Sequence, residues 1–136
     1  KIEEKNIQYI ADINTDFTAY SDAIMVQNIF TNYLSNAISH IDYDKIIRVT
    51  ATDVGTAYRI RVFNTGKPIP GTDIENIWQS FYRADKSHVR NENRFGLGLS
   101  IVKGIMTNHK CGYGVKNVKN GVCFTFETAK DSKYYD

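Results

Sequence analysis

Apolar positions change their spacing several times along this chain, and each change marks an element. Between residues 21 and 41 they recur three and four apart. Val26, Ile29, Phe30, Tyr33, Leu34, Ala37 and Ile38 form one stripe, which predicts a long amphipathic helix capped by Ser21. Residues 6–12 and 16–20 alternate weakly and predict two short strands about a turn at Asn14-Thr15. After the helix the period drops to two. Residues 45–54 carry Ile47, Val49 and Ala51 on one face, and a turn through Gly55-Thr56 returns the chain as a partner strand over 57–64. Helical spacing returns over 97–109, and residues 113–118 and 122–127 predict a closing hairpin about Asn120-Gly121.

Two stretches break these periods. Both of the 2 prolines fall in the loop 64–70, and a short helical segment with Ile74, Ile77, Trp78 and Phe81 is predicted after it. From 82 to 94 no apolar period survives and charges of both signs crowd together. A connector of that length predicts a mobile functional loop that acts as a lid. At the ends, 1–5 has the character of a preceding helix, and 129–136 reads as a frayed tail. No internal repeat or low-complexity segment interrupts the chain.

Bulk properties narrow the function. At 136 residues, 42% hydrophobic and 24% charged, the chain is long and apolar enough for one packed domain, so disorder is excluded. A net charge of +2 is too small for a protein that tracks nucleic-acid phosphates, so DNA and RNA are not expected as partners. No apolar run is long enough to span a bilayer. The 2 cysteines, Cys111 and Cys123, fall far out of register across the closing hairpin and are expected to be reduced thiols.

Three constellations carry chemistry. Asn28, Asn32 and Asn36 are spaced four apart, which drifts only about 40° per step and aligns their carboxamides along one edge of the apolar stripe. Asn is a middling helix former, so a row of them implies more than secondary structure. A carboxamide oxygen with phosphate oxygens and water suits Mg2+. A solvated helix flank is the plainer explanation of the same row.

In the strand that ends at Asn64, Tyr58, Ile60, Val62 and Asn64 share a face, so Asn64 points inward, where an amide must find a partner. The adenine amino group is one such partner, and a turn cap is the other reading of Asn-x-Gly. Gly96-Leu97-Gly98 leads into the next helix, offering backbone amides and a positive dipole end to an anion, with Arg83, Lys86, Arg90 and Arg94 nearby. A bare helix start would look the same. His40, His88 and His109 have no metal-like spacing with the cysteines.

Taken in order, these stretches resemble the N, G1, F and G2 boxes of the catalytic ATP-binding domain of bacterial sensor histidine kinases. The N box is residues 27–37, the G1 box 64–70, the F box 77–83 and the G2 box 96–102. The resemblance implies an α/β (α+β) two-layer sandwich of the Bergerat type, with a mixed sheet of about five strands packed on three α-helices. It assigns 1–5 to the end of a dimerisation helix, 6–128 to the catalytic domain and 129–136 to a tail.

By the same resemblance Asn36 holds Mg2+, while Asn32 and His40 lie near the ATP phosphates. Asn64, Gly66 and Ile69 line the base. Arg83 meets the γ-phosphate or the acceptor histidine, and Arg94, Gly96, Leu97 and Gly98 line the lid and its anion site. The implied partners are a histidine-bearing dimerisation domain and a response regulator. The implied setting is the cytoplasmic side of a membrane-anchored homodimeric sensor, with this fragment alone monomeric and unable to autophosphorylate.

Three positions depart from the family pattern. Asn64 stands where an acidic residue is usual, so the base contact loses charge assistance. Arg94 replaces a lid glycine and gives up backbone freedom for a cation. Val122 follows Gly121 where a Thr is common. A related ATPase is one rival, but its Glu base falls one helical turn before the magnesium Asn, where this chain has Asn32, and a carboxamide takes no proton from water. The other rival is a degenerate binding module kept as a scaffold.

Overall fold

A computed structural model of the chain describes residues 6–12, 23–79, 82–83, 94–96, 98–109 and 112–129. Nine elements are described: β1 (Gln8–Asp12), α1 (Ala23–His40), β2 (Ile46–Asp53), β3 (Ala57–Thr65), β4 (Tyr82–Arg83), β5 (Arg94–Gly96), α2 (Gly98–His109), β6 (Tyr113–Val118) and β7 (Gly121–Ala129). Five strands form one mixed sheet in the order β1-β2-β3-β7-β6. β1 runs parallel to β2, and every other pair in that sheet is antiparallel.

Period-two alternation explains the layering. Ile47, Ala51, Ile60, Val62, Val122, Phe124 and Phe126 all point to one face and are buried there. The two helices close that face, α1 with Ile29, Tyr33 and Ala37 and α2 with Leu99, Val102 and Met106. Removing a side chain of this size from water contributes about 1.5–3 kcal/mol, so the shared core holds the helices to the sheet. Tyr33 is a polar exception made acceptable by one bond, its hydroxyl donating to the Thr125 carbonyl at 2.8 Å. Its ring lies 5.2 Å from Phe124 and 5.8 Å from Phe126, and burial pushes its pKa far up.

The predicted two-layer class therefore holds, with differences in detail. Three helices were expected, and two occur among the described residues. The segment carrying Ile74, Ile77 and Trp78 is a chain of turns, not a helix. Of its backbone bonds, Ile77 to Asp73 spans four residues, whereas Asp73 to Pro70, Asn76 to Asp73 and Gln79 to Asn76 span three. Asn76 Nδ2 also donates to the Thr72 carbonyl at 3.2 Å, a local bond that competes with helix formation. Trp78 still docks inward, its ring 5.0 Å from Tyr113 and 6.1 Å from Phe124.

The stretch expected to lack structure from 82 to 94 has paired ends. Tyr82 faces Gly96 and Arg83 faces Arg94 in a two-stranded antiparallel ladder. The closing loop is Lys119-Asn120, with Asn120 at φ 69°, and Gly121 is the first residue of β7 rather than part of the turn. Ser21, the strand expected at 16–20, Phe81, Leu97, Cys111 and the tail from 130 lie outside the described residues. No helix among the described residues is long and apolar enough to cross a membrane.

Candidate functional site

One flank of α1 gathers the predicted residues. Asn28, Asn32, Asn36 and His40 follow one another at four-residue steps, with Asn28 exposed and the other three half-buried. At Asn32 the flank meets the start of α2. A Cβ built on Gly98 would lie 3.1 Å from Asn32 Oδ1 and 3.4 Å from its Cγ, so a bare backbone is what lets the helix start approach that carboxamide.

At His40 the same flank meets the 64–70 loop. Gly66, at φ 152°, sits where a Cβ would be 3.0 Å from the His40 carbonyl oxygen and 3.4 Å from Asn64 Nδ2. Asn36 lies between these two junctions. Asn32, Asn36, His40, Asn64, Gly66 and Gly98 thus share one side of the molecule.

The loop is fastened from several directions. Asn64 is only 2% exposed, and its Nδ2 donates to the Thr65 carbonyl at 3.0 Å, which leaves the amide oxygen as the acceptor. Gly66 N–H donates to the Asn120 carbonyl at 3.1 Å, and the Tyr43 hydroxyl donates to the Gly66 carbonyl at 2.7 Å. Thr65 Oγ1 accepts from Ile46 N–H at 2.9 Å, joining the loop to β2. Ile69 is buried, and both of its backbone groups bond to the side chain of Asn117.

Sequence reasoning missed Asn117 and Tyr43. The signal for Asn117 was available, since the Tyr113, Val115, Asn117 alternation puts a polar side chain on the core-facing parity of β6, in register with Val122.

Arg83 and Arg94 are described through their backbone, which sets them opposite each other in the β4–β5 ladder, next to Gly96. Leu97 falls outside the described residues. Among the described residues no group of three His, Cys, Asp or Glu could hold a metal. The donor on this flank is a neutral carboxamide, which fits a Mg2+ ion that takes most of its ligands from phosphate and water.

The opposite face of the sheet carries different chemistry. A groove of about 550 Å3 lies there, lined by Arg59, Arg61, Lys116, Cys123, Thr125 and Glu127 among others. Glycines at 112 and 114 leave it open, and Arg59 donates to Glu127 at 2.8 Å across its floor. Cys123 is unbridged, and burial pushes its thiol pKa up against the opposing pull of Arg61 and Lys116, so it is a poor nucleophile.

The chain belongs to the histidine kinase-, DNA gyrase B- and HSP90-like ATPase family, whose model matches residues 21–132. Within that family it corresponds to the catalytic ATP-binding domain of sensor histidine kinases. The sensor protein IrlS of Burkholderia pseudomallei is 34% identical over 94 residues, covering 68% of this chain and 20% of IrlS. The sensor histidine kinase CusS of Escherichia coli K12 is 32% identical over 103 residues, covering 76% of this chain and 22% of CusS.

The chain therefore spans about a fifth of the length of these relatives. Among solved structures, the nucleotide-free catalytic domain of the histidine kinase ThkA superposes with a TM-score of 0.82 at 28% identity, over 98% of this chain and 85% of that one. ThkA in complex with the response regulator protein TrrA also superposes, with a TM-score of 0.78 at 29% identity over 97% of this chain and 36% of the other.

Proposed function

We propose that this chain binds Mg-ATP and donates its γ-phosphoryl group to a histidine on a dimerisation domain outside residues 6–128. The observation that carries the reading is the meeting of three segments on one flank of α1. The helix start at Gly98 abuts Asn32, and the base loop at Gly66 abuts His40.

Phosphoryl transfer asks for positioning and charge neutralisation more than covalent help from the protein. The Asn64 amide oxygen accepts from the purine amino group, with Gly66 and Ile69 shaping the loop around the base. The α2 N-terminus, which begins at Gly98 directly after Gly96-Leu97 in the sequence, receives the phosphate tail. Asn36 would hold Mg2+ with Asn32 and His40 beside the phosphates, and the ion when bound neutralises charge that develops on the transferring group. Arg83 and Arg94 supply further positive charge. As the imidazole nitrogen of the acceptor bonds to phosphorus, the bond from phosphorus to the β–γ bridging oxygen breaks and ADP leaves.

The acceptor histidine, a homodimeric arrangement, anchoring at the cytoplasmic side of a membrane and onward transfer to a response regulator are parts of this proposal. The complex of ThkA with TrrA supports the last of them. Residues 1–5 would join the dimerisation helix and 130–136 would form a tail, one residue later than expected because Ala129 still pairs with Ala57 at the end of β7. Incubation with labelled ATP alone leaves the chain unlabelled on this account. Addition in trans of a histidine-bearing helical hairpin from the same protein gives a labelled hairpin. Self-labelling of the chain, or no transfer to any hairpin, contradicts it.

A further inference from the structure

The tripeptide Pro68-Ile69-Pro70 contains a single backbone N–H, because neither proline has one. That N–H donates to Asn117 Oδ1 at 2.8 Å, and Asn117 Nδ2 donates back to the Ile69 carbonyl at 2.9 Å. One side-chain amide thereby copies the pairing of a neighbouring strand at the open edge of β6, the last strand of the sheet. Among the described residues, these are the hydrogen bonds that hold 67–69, whereas Asn64 and Gly66 are fixed separately by Thr65, Asn120 and Tyr43.

Ile69 is confined to extended backbone by the proline after it, so the segment moves as a stiff unit about whatever grips it. Register also places Asn117 in the same cross-strand row as Asn64, two strands away. Ile47, Asn64, Val122 and Asn117 form one row across β2, β3, β7 and β6 on the helix-facing side.

We infer that Asn117 is a positioning residue for the nucleotide base: it clamps Ile69 so that the loop stands at a fixed distance from Asn64, and it sets base recognition without touching the phosphates. This rests on the nucleotide reading above. Two net hydrogen bonds correspond to about tenfold in affinity when their loss lets the loop swing.

The test compares the intact chain with Asn117→Ala and Asn117→Asp, titrating each with Mg-ATP, Mg-ADP and magnesium tripolyphosphate by calorimetry. Amide exchange at Ile69 is followed without nucleotide. In Asn117→Ala, ATP and ADP affinity is expected to fall about tenfold, tripolyphosphate affinity to change less than about twofold, and Ile69 exchange to quicken by at least about tenfold. In Asn117→Asp the acceptor for Ile69 N–H survives, so exchange protection is largely retained.

Unchanged ATP affinity beside faster Ile69 exchange overturns the inference, as does an equal loss for ATP and tripolyphosphate. A wild-type chain that binds no nucleotide overturns the functional reading itself, and this inference falls with it.

Discussion

Gly98→Ala separates the fold from the site. The added methyl would stand 3.1 Å from Asn32 Oδ1, 3.4 Å from its Cγ and 3.7 Å from its Cβ. The nearest atom is the end of a half-buried side chain, so a shift of a few tenths of an ångström relieves the contact. A χ displacement of this size costs about 0.5–1.5 kcal/mol. Against it, replacing Gly by Ala in a helix contributes up to about 1 kcal/mol through propensity. The two terms nearly cancel, so unfolding free energy should move by less than about 1 kcal/mol.

Nucleotide binding has no such offset. The methyl occupies the approach to the α2 amides and displaces the Asn32 carboxamide, so Mg-ATP affinity should fall at least about tenfold. Urea unfolding of both proteins beside calorimetric titration with Mg-ATP measures the two effects on the same samples. Equal ATP affinity in the two proteins refutes the placement of the phosphates at this helix start. A stability loss above about 2 kcal/mol refutes the claim that the contact is soft.

Three further outcomes follow from the packing. Tyr33→Phe forfeits the bond to the Thr125 carbonyl and should cost about 1 kcal/mol at neutral pH. The raised pKa of Tyr33, from burial first and Tyr113 second, gives the sign at high pH. Its stabilisation is complete below the unfolded value near 10 and is lost as pH rises above it, so the wild type should weaken by up to about 1.4 kcal/mol per unit there while the variant lacks this loss. Parallel slopes to pH 11 in urea titrations would contradict this. Thr128→Val removes a hydroxyl that is 1% exposed as a residue and has no hydrogen-bond partner among the described residues. Denaturant midpoints should show a gain of about 1 kcal/mol, and a loss of that size counts against it. Gly121→Ala builds a Cβ into the Asn64 carbonyl and the Phe63 ring, and thermal melts should show a loss of at least about 2 kcal/mol; a near-neutral result contradicts the close approach of β7 to β3.

Periodicity made much of this legible. The α1 stripe and the two-residue alternation of β2, β3, β6 and β7 reflect burial on one side, which leaves its mark residue by residue. The parallel β1–β2 pair and the seating of β7 between β3 and β6 join residues distant in sequence, and no local pattern encodes them. The helix expected around Ile74, Ile77, Trp78 and Phe81 fails, over its described part, from the same cause in reverse. Ile74, Ile77 and Trp78 have helical spacing because they face one core, but a chain of turns with mixed three- and four-residue spans meets that demand as well as a helix does. In the site, Asn36 stood out as part of a carboxamide row along the edge of an apolar stripe, and Asn64 because it ends an otherwise apolar strand face. Tyr43 and Asn117 stayed hidden because their role is to hold a loop, and the chemistry they serve is borne by other residues.

In the proposed site a carboxamide on α1, that of Asn36, ties magnesium to nucleotide. Calorimetry with ATP, with magnesium and then with a chelator, on the wild type and on Asn36→Ala tests it most directly. The wild type should bind Mg-ATP and lose affinity when magnesium is removed, and Asn36→Ala should bind weakly under both conditions with no difference between them. No heat from the wild type at millimolar Mg-ATP, or an Asn36→Ala protein that keeps the full magnesium dependence, would contradict the account.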